Sequence, residues 1–316
     1  MLARIAFCLI FLTAVAPPGS TQAQVRHEYS EVHMGMPVRV VLFAPTDNAA
    51  RAAARAAFQR MAQLDADLSD YRPDSELRRI EARAGTWVTV KPSTLAILSR
   101  ALHIAQLTNG AFDPTVGPLV ALWRSARKAQ RFPERAALES ARALVSYQQV
   151  RLDSARSGVR LARAGMRLDL GGIAKGYILQ EALTTLGRHG VSQAMLQAGG
   201  DIMVGAAPPG LSGWRIDVAG TDSSFTAQAQ RLTHAALATS GPNQQFLNVA
   251  GMRYSHVVDP RTGLGLTNGV TAHVIARDGA TADALATALT ILDPEKRRAL
   301  LARFPDARTY IRTETK

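Results

Sequence analysis

The sequence contains almost no cysteine. Cys8 is the only one among 316 residues, and it lies inside a short apolar stretch close to the N-terminus. Removal of that stretch would leave a chain without a thiol, which can form no disulfide, no cysteine nucleophile and no cysteine-ligated zinc site. The sequence therefore argues against any function that depends on thiol chemistry.

Long charge blocks, internal repeats and low-complexity linkers are also absent after residue 25. The formal net charge is +12, but the Lys and Arg residues are scattered and the longest basic run is only Lys296–Arg298. This dispersed charge favours a protein that binds small anions, and it argues against nucleic acid as a partner. With 47% hydrophobic residues, the chain can bury one large core or two small ones.

The N-terminal segment has the anatomy of a secretory signal peptide. Arg4 precedes an apolar stretch from Ile5 to Val15, which is followed by Pro, Gly and small polar residues. That stretch is too short to span a bilayer comfortably. We therefore predict a signal peptide over residues 1–23, cleavage after Ala23, a mature net charge of +11 and a periplasmic or exported location. An uncleaved anchor, with inner-membrane association, is the alternative.

Hydrophobic periodicity predicts a mixed fold. Helical patterns cover residues 47–69, 93–110, 133–145, 173–188 and 281–291, with a short helix inside 71–85. Asp47 and Ser93 are the predicted caps of the first and second of these helices. Strand patterns cover residues 37–43, 87–90, 167–170 and 307–313. Because helices concentrate early and strands late, the pattern favours an α+β fold over a regular βαβ arrangement.

The stretch "RLDLGGIAKGY" at 167–177 is the first candidate for chemistry. Paired glycines, Gly171 and Gly172, sit at a predicted strand-to-helix turn, between Asp169 and Lys175. Glycines there let the backbone approach a ligand, and a helix start favours an anion. A cation in a first helical turn is disfavoured unless an anion is near, so Lys175 suggests an anionic ligand. The alternative is a tight structural turn with a solvated lysine.

The helix pattern "TADALATAL" at 281–289 places Asp283 and Thr287 four residues apart on one face. A carboxylate and a hydroxyl in this arrangement can face one hard cation, such as Mg²⁺ or Ca²⁺. The alternative is that Asp283 complements the positive end of the helix and Thr287 packs in the core.

Two turns complete the set of candidates. In "SHVVDPRTG" at 255–263, His256 and Asp259 either act as a base and its orienter or shape the turn. In "NGAFDPTVGPLVALW" at 109–123, a turn at Asp113 leads into an apolar segment that ends at Trp123. That segment either lies beside a planar ligand or contributes core side chains.

These stretches together resemble the FAD:protein FMN transferases, the ApbE-type flavin transferase family. The resemblance rests on motifs in the family's order: "MGMPVRVVLF" (34–43), "LSDYRPDSEL" (68–77), "GAFDPTVGPLVALW" (110–123), "LDLGGIAKGY" (168–177), "AGGDIMVGA" (198–206), "ATSG" (238–241), "HVVDPRTG" (256–263) and "ADALATAL" (282–289).

The resemblance implies a single ApbE-like, T-fold-related α+β domain over residues 24–316, with helices packed on antiparallel sheets. It implies a Mg²⁺-dependent enzyme that cleaves FAD, attaches FMN to a threonine of an exported or membrane partner and releases AMP. The acceptor is expected to be an electron-transfer protein. Hydrolysis of FAD to FMN and AMP, and flavin binding without catalysis, are the alternatives.

The resemblance also implies roles for individual residues. It makes His256, Asp259 and Lys175 catalytic candidates, and Gly172, Asp283 and Thr287 the candidate metal site. The implied FAD contacts are Met34, Tyr71, Ala111, Phe112, Asp113, Asp169, Lys175, Thr239, Ser240 and His256.

Two stretches depart from the family pattern. Met36 replaces the usual threonine, and "PNQQF" at 242–246 replaces an aromatic residue followed by an arginine. The second change predicts altered contacts to phosphate or acceptor in that loop. A segment with a threonine at Thr281 resembles flavin acceptor segments, but it leads into the implied metal-site helix, so a structural role is expected for it.

Overall fold

A seven-stranded antiparallel sheet organises the protein. The computed structural model describes residues 23–218, 228–242 and 245–313. In chain order, the strands of this part are β1 (Val25–His33), β2 (Met36–Ala44), β3 (Val88–Thr89), β4 (Val150–Asp153), β5 (Gly158–Leu161), β6 (Ala194–Ala198), β7 (Asp201–Val204), β8 (Trp214–Val218), β9 (Gln228–Leu232), β10 (Ala235–Ser240), β11 (Phe246–Val249), β12 (Met252–Ser255), β13 (Val270–Ala276) and β14 (Arg308–Thr313). The large sheet has the order β1-β2-β6-β7-β10-β13-β14, and three small sheets contain β3-β5-β4, β8-β9 and β11-β12.

Eight α-helices accompany these sheets in the described residues. They are α1 (Asp47–Leu68), α2 (Glu76–Ala82), α3 (Pro92–Leu107), α4 (Gly117–Ala129), α5 (Arg135–Ala143), α6 (Ala174–Arg188), α7 (Gly279–Ile291) and α8 (Pro294–Leu301). None of them is long and apolar enough to cross a membrane. The predicted signal peptide, apart from Ala23, lies outside the described residues.

The two faces of the large sheet have different covers, which follows from the alternation of side chains along its strands. Along β2, Val40 and Leu42 join the main core, which also contains buried residues of α1, α6 and α7. Val41 points the other way and packs with Trp214 and Ile216 of the β8–β9 hairpin. The predicted α+β class, with helices packed on antiparallel sheets, is confirmed.

Most predicted helices are present, but their caps differ from the prediction. α1 is capped by the Thr46 hydroxyl, which accepts from the Ala49 amide at 3.2 Å, rather than by Asp47. α3 begins at Pro92 after Lys91, so Ser93 lies inside the helix. Proline has no backbone N–H, so it suits the first position of a helix, where an N–H would have no partner within the helix. The helix therefore begins at Pro92 rather than at the predicted residue 93.

Two local predictions were wrong or incomplete. The expected strand at 167–170 is extended chain with only one bridge, between Arg167 and Val116. Its backbone instead bonds to neighbouring elements: Leu168 donates to Glu81 and Asp169 donates to the Pro114 carbonyl. The segment after the turn at Asp113 forms a helix, α4, which the apolar pattern alone did not predict.

α6 and α7 cross at two glycines, and this close approach positions the site. A Cβ on Gly176 would lie 2.0 Å from the Gly279 carbonyl oxygen, and a Cβ on Gly279 would lie 2.3 Å from the Gly176 oxygen. The crossing lets the Gly176 amide donate to Asp283 Oδ2 at 3.1 Å.

We expect Gly176→Ala to destabilise the protein by about 2 kcal/mol or more. The added methyl group would collide with the Gly279 carbonyl, and the backbone of α7 cannot move aside as a flexible side chain could. Gly187→Ala is the matched control, because it lies on the same helix and an added Cβ there would meet nothing within 4 Å. That change should stabilise the protein by up to about 1 kcal/mol through helix propensity. Urea unfolding of both variants tests this, and equal effects would contradict the crossing as described.

Candidate functional site

A cavity of about 420 Å³ lies where β10, β13 and β14 meet the start of α6 and the face of α7. Eight of the residues predicted for the site line it: Asp169, Gly172, Lys175, Thr239, Ser240, His256, Asp283 and Thr287. The fold thus brings together motifs that are more than 100 residues apart in the chain.

Lys175 is held between two buried carboxylates. Its Nζ donates to Asp201 Oδ2 and lies 3.7 Å from Asp283 Oδ1. Burial alone would lower the pKa of the Lys175 ammonium, but the charges of Asp283 and Asp201 outweigh burial and raise it. Lys175 is therefore a permanent cation whose charge is already balanced inside the protein.

We expect Lys175→Met to destabilise the protein by about 3 kcal/mol at neutral pH, because it leaves two buried carboxylates without their cation. The loss should shrink as the pH falls, starting above 6, because removal of Lys175 raises the pKa of Asp283 beyond its wild-type value of about 6 and protonation then removes the unpaired charge. The free energy of unfolding from urea titrations at several pH values measures this.

Lys91→Met is the matched control for this change. Lys91 forms a 2.6 Å ion pair with Asp67, but its side chain is 59% exposed. An exposed pair contributes about 1 kcal/mol or less, so this variant should remain near wild-type stability. Addition of Asp201→Asn to Lys175→Met should recover part of the loss, and a double variant no better than Lys175→Met would refute the assigned pairing.

Gly172, Asp283 and Thr287 form a set of oxygen donors that fits a hard cation. A Cβ on Gly172 would lie 2.9 Å from Thr287 Oγ1, so only glycine lets the turn approach α7 this closely. Burial raises the pKa of Asp283 to about 6, against the opposing effect of Lys175 and with a further rise from Asp201. Asp283 is therefore a buried carboxylate that remains ionised near neutral pH, as a metal ligand must be.

Protein ligands alone would not complete the coordination of such a cation. No three His, Cys, Asp or Glu side chains within residues 23–218, 228–242 and 245–313 form a group that could hold a metal. Mg²⁺ is commonly held by one or two carboxylates together with water and substrate phosphates. The donor set therefore suits Mg²⁺ delivered with, or completed by, a phosphate-containing substrate.

Asp169 forms the opposite side of the glycine turn. Its Oδ1 accepts from the Gly171 amide at 2.8 Å, and its Oδ2 lies 3.5 Å from the Arg124 guanidinium. Burial and the charge of Asp70 raise the pKa of Asp169 to about 6. Arg124 also pairs with Asp70 and lies 4.1 Å from the ring centre of Tyr71. One arginine thus ties the segment around Tyr71 to the cavity wall.

His256 is the candidate base of the cavity. Burial lowers its pKa, and the charges of Arg127 and Lys175 lower it further. Its Nδ1 is buried and has no hydrogen-bond partner among the described residues. Because its pKa is lowered, the imidazole is neutral at ordinary pH, and a neutral imidazole that lines the cavity can accept a proton from a bound hydroxyl.

Comparison with known proteins agrees with this geometry. The sequence profile of the ApbE family matches residues 34–311. The chain belongs to the ApbE family of flavin transferases. A FAD:protein FMN transferase of Treponema pallidum is 34% identical over 96% of this chain and 88% of its own length. One from Klebsiella pneumoniae is 31% identical over 89% of this chain and 87% of its own length.

Solved structures show the same family fold. The ApbE protein of Thermotoga maritima is 32% identical, with a TM-score of 0.82, and the match covers 92% of this chain and 94% of that chain. The flavin transferase ApbE of Vibrio cholerae is 25% identical with a TM-score of 0.82, covering 93% and 95%. The predicted family and enzyme class are confirmed.

Some residues predicted for this ApbE-family site lie outside the lining of the cavity. The Asp113 carboxylate is buried and accepts from the amides of Thr115 and Tyr147 at 2.8 and 2.9 Å. Phe112 packs behind Gly172, and Ala111 is fully buried. In this structure these three residues support the wall, and direct contact with FAD stays a prediction for them.

The other predicted residues outside the lining are Met34, Tyr71 and Asp259. The Met34 amide donates to Asp65, and the Tyr71 ring is 73% exposed beside Arg124. Both oxygens of Asp259 accept from the Arg261 side chain, at 2.9 and 2.8 Å. Asp259 therefore shapes its turn, and the geometry favours His256 over Asp259 as the proton acceptor.

Sequence reasoning missed several polar residues of the cavity region. Asp201 accepts from the Thr239 amide at 2.9 Å as well as from Lys175, and the Thr239 hydroxyl lies 3.0 Å from His273 Nδ1. Thr271, His273 and Arg312 line the cavity from β13 and β14. Asp201 stands inside the "AGGDIMVGA" motif, and that position was the only available signal for any of these residues.

The two departures from the family pattern have local structural roles. Met36 opens β2, and its sulfur would lie 3.5 Å from a Cβ on Gly199. In the 242–246 loop, the Gln245 carbonyl accepts from the His256 amide at 2.9 Å. The ring centre of Phe246 lies 3.9 Å from the Arg253 guanidinium, and residues 243 and 244 are outside the described residues.

Thr281, the threonine of the segment that resembles flavin acceptor segments, makes a structural contact. Its hydroxyl donates a hydrogen bond to Asp278, the cap of α7, at 2.6 Å.

Proposed function

We propose that this protein is a Mg²⁺-dependent FAD:protein FMN transferase that modifies a threonine of an acceptor protein and releases AMP. The observation that carries the proposal is that His256, Asp283 and Thr287 line the same cavity. A neutral base and a site for a hard cation are the two components that phosphoryl transfer from a pyrophosphate requires.

The proposed reaction exchanges one phosphorus–oxygen bond for another. The threonine oxygen of the acceptor forms a bond to the phosphorus of the FMN half, and the bond from that phosphorus to the AMP phosphate oxygen breaks. His256 accepts the threonine proton, and AMP departs with the electron pair of the broken bond. A bound Mg²⁺ would neutralise charge on the phosphates and favour departure of AMP. Asp283, Thr287 and Gly172 would hold it.

We also propose where the reaction takes place. The N-terminal segment has the features of a signal peptide, which supports a periplasmic or exported location. An exported enzyme would meet acceptors at or near the membrane surface. The resemblance to the family makes an electron-transfer protein the expected acceptor.

Product analysis tests the proposal and separates it from its alternatives. The purified mature protein is incubated with FAD and Mg²⁺, with and without a peptide that carries a threonine segment. AMP together with peptide-bound FMN is the expected result. AMP with free FMN in both reactions would show a hydrolase. Bound FAD without AMP would show a flavin carrier, and no interaction with FAD would overturn the assignment.

A further inference from the structure

Three permanent cations line the cavity, and two of them are neutralised by the protein. Lys175 lies between Asp201 and Asp283, and Arg124 pairs with Asp70 and lies near Asp169. Arg312 is the third. Its side chain has no carboxylate or hydrogen-bond partner within residues 23–218, 228–242 and 245–313.

Arg312 stands at a position that the sheet defines. It lies near the end of β14, the edge strand, directly opposite Thr271 on β13. Opposed residues of an antiparallel pair share one face of the sheet, so the guanidinium and the Thr271 hydroxyl are neighbours. The Thr271 hydroxyl also lacks a partner among the described residues.

Gly241 keeps this part of the wall accessible. A Cβ on Gly241 would lie 2.6 Å from Thr271 Oγ1, a contact that would close the space beside the hydroxyl. Arg308 lies four residues earlier on the same strand and provides a contrast. Its side chain is exposed, whereas Arg312 is half-buried, and its guanidinium donates a hydrogen bond to Gln230 at 3.0 Å. Within the described part of the chain, Arg312 and Thr271 thus form a cation and a hydroxyl without partners where β14 ends and β13 begins.

We propose that Arg312, assisted by Thr271, binds a phosphate of the dinucleotide substrate. This inference rests on the proposed function, because it names the group that neutralises the pyrophosphate of FAD. Lys175 cannot supply a net positive charge, since two carboxylates already balance it. Arginine presents parallel N–H donors that match phosphate oxygens, and such charge-assisted hydrogen bonds are strong. Arg312 therefore provides on β14 a positive charge that the protein itself does not balance among the described residues.

Binding of two flavins to the full chain tests the inference without catalysis. FAD and riboflavin share the ring system, but riboflavin has no phosphate. Flavin fluorescence is titrated with wild type, Arg312→Gln, Arg312→Lys and the strand-matched control Arg308→Gln, all in EDTA so that no metal contributes. Arg312→Gln should weaken FAD binding about 10- to 100-fold, the range of a hydrogen bond to a charged group. Riboflavin binding should not change, Arg312→Lys should be intermediate, and Arg308→Gln should match wild type.

The outcomes separate the two proposals. If wild type binds no FAD either in EDTA or in a parallel titration with Mg²⁺, the proposed function fails. If wild type binds FAD and Arg312→Gln binds it equally well, only the role of Arg312 is overturned, and an increased KM for the acceptor would place it on the acceptor side. Equal weakening of FAD and riboflavin, or a lowered melting temperature that accounts for the loss, would show a structural role and also overturn the inference.

Discussion

Asp283→Asn should reduce flavin transfer by about 10³-fold, because the amide cannot replace the carboxylate that would hold the cation. The substitution should leave the fold intact. Burial already raises the pKa of Asp283 to about 6, so the site tolerates a neutral side chain of the same shape better than an ionised one. Lys175 would keep Asp201 as its partner. Loss of activity without loss of stability is therefore the expected result.

Two measurements separate a metal role from a general defect. Addition of Mg²⁺ to the FAD-bound protein should raise the melting temperature of wild type further but not that of Asp283→Asn, since binding to the native state stabilises it. Asp278→Asn is the control on the same helix. Asparagine can still cap α7, so this change removes the charge of the ion pair with Arg100; it should cost about 1 kcal/mol of stability or less and leave activity near wild type. More than a tenth of wild-type activity in Asp283→Asn at saturating Mg²⁺ would exclude the proposed role.

Sequence patterns within one helix or one turn were sufficient to predict the site residues that lie on the same helix or turn. Asp283 and Thr287 are one helical turn apart, so their common face follows from helix geometry alone. The glycine turn before α6 was predicted because Gly171 and Gly172 interrupt an apolar pattern immediately before a helix. The order of the motifs then identified the family, and with it the chemistry expected of these residues.

Partners across the sheet could not be predicted in this way. Asp201 contacts Lys175 because β7 lies next to β10 and packs against α6. A local sequence pattern predicts neither the pairing of β7 with β10 nor the packing of α6 on β7. Arg312 faces the cavity because the register of β13 and β14 sets it opposite Thr271. A register shift of one residue would turn it to the other face. Residues whose roles depend on strand register need the folded structure.

The same limitation explains what sequence reasoning could not see about Lys175. A cation at a helix start suggested an anionic ligand, and this reasoning is sound for an isolated helix. In the folded chain the carboxylates of Asp201 on β7 and Asp283 on α7 balance the positive charge of Lys175. The helix-end argument detected the need for negative charge but could not tell that the protein itself supplies it.

His256→Gln should abolish the acid limb of the pH profile of the transfer step. As a base, His256 must be neutral, and burial lowers its pKa below the ordinary value of 6.5. At saturating Mg²⁺, which would keep Asp283 ionised, wild-type activity should therefore persist below pH 6.5 and fall as the pH drops through the lowered pKa of His256. Loss of a general base typically slows a reaction by about 10²- to 10⁴-fold, and the slow residual rate should no longer depend on this titration.

His273→Gln is the matched control, because His273 lines the same cavity and burial lowers its pKa too. Its Nδ1 already lies 3.0 Å from the Thr239 hydroxyl, whereas Nδ1 of His256 has no partner among the described residues. Single-turnover rates with saturating FAD between pH 4.5 and 8 should keep the acid limb in His273→Gln and lose it in His256→Gln. If the limb survives in His256→Gln, it reports a carboxyl such as Asp169 or Asp283, whose pKa values are both raised to about 6, and His256 is not the base.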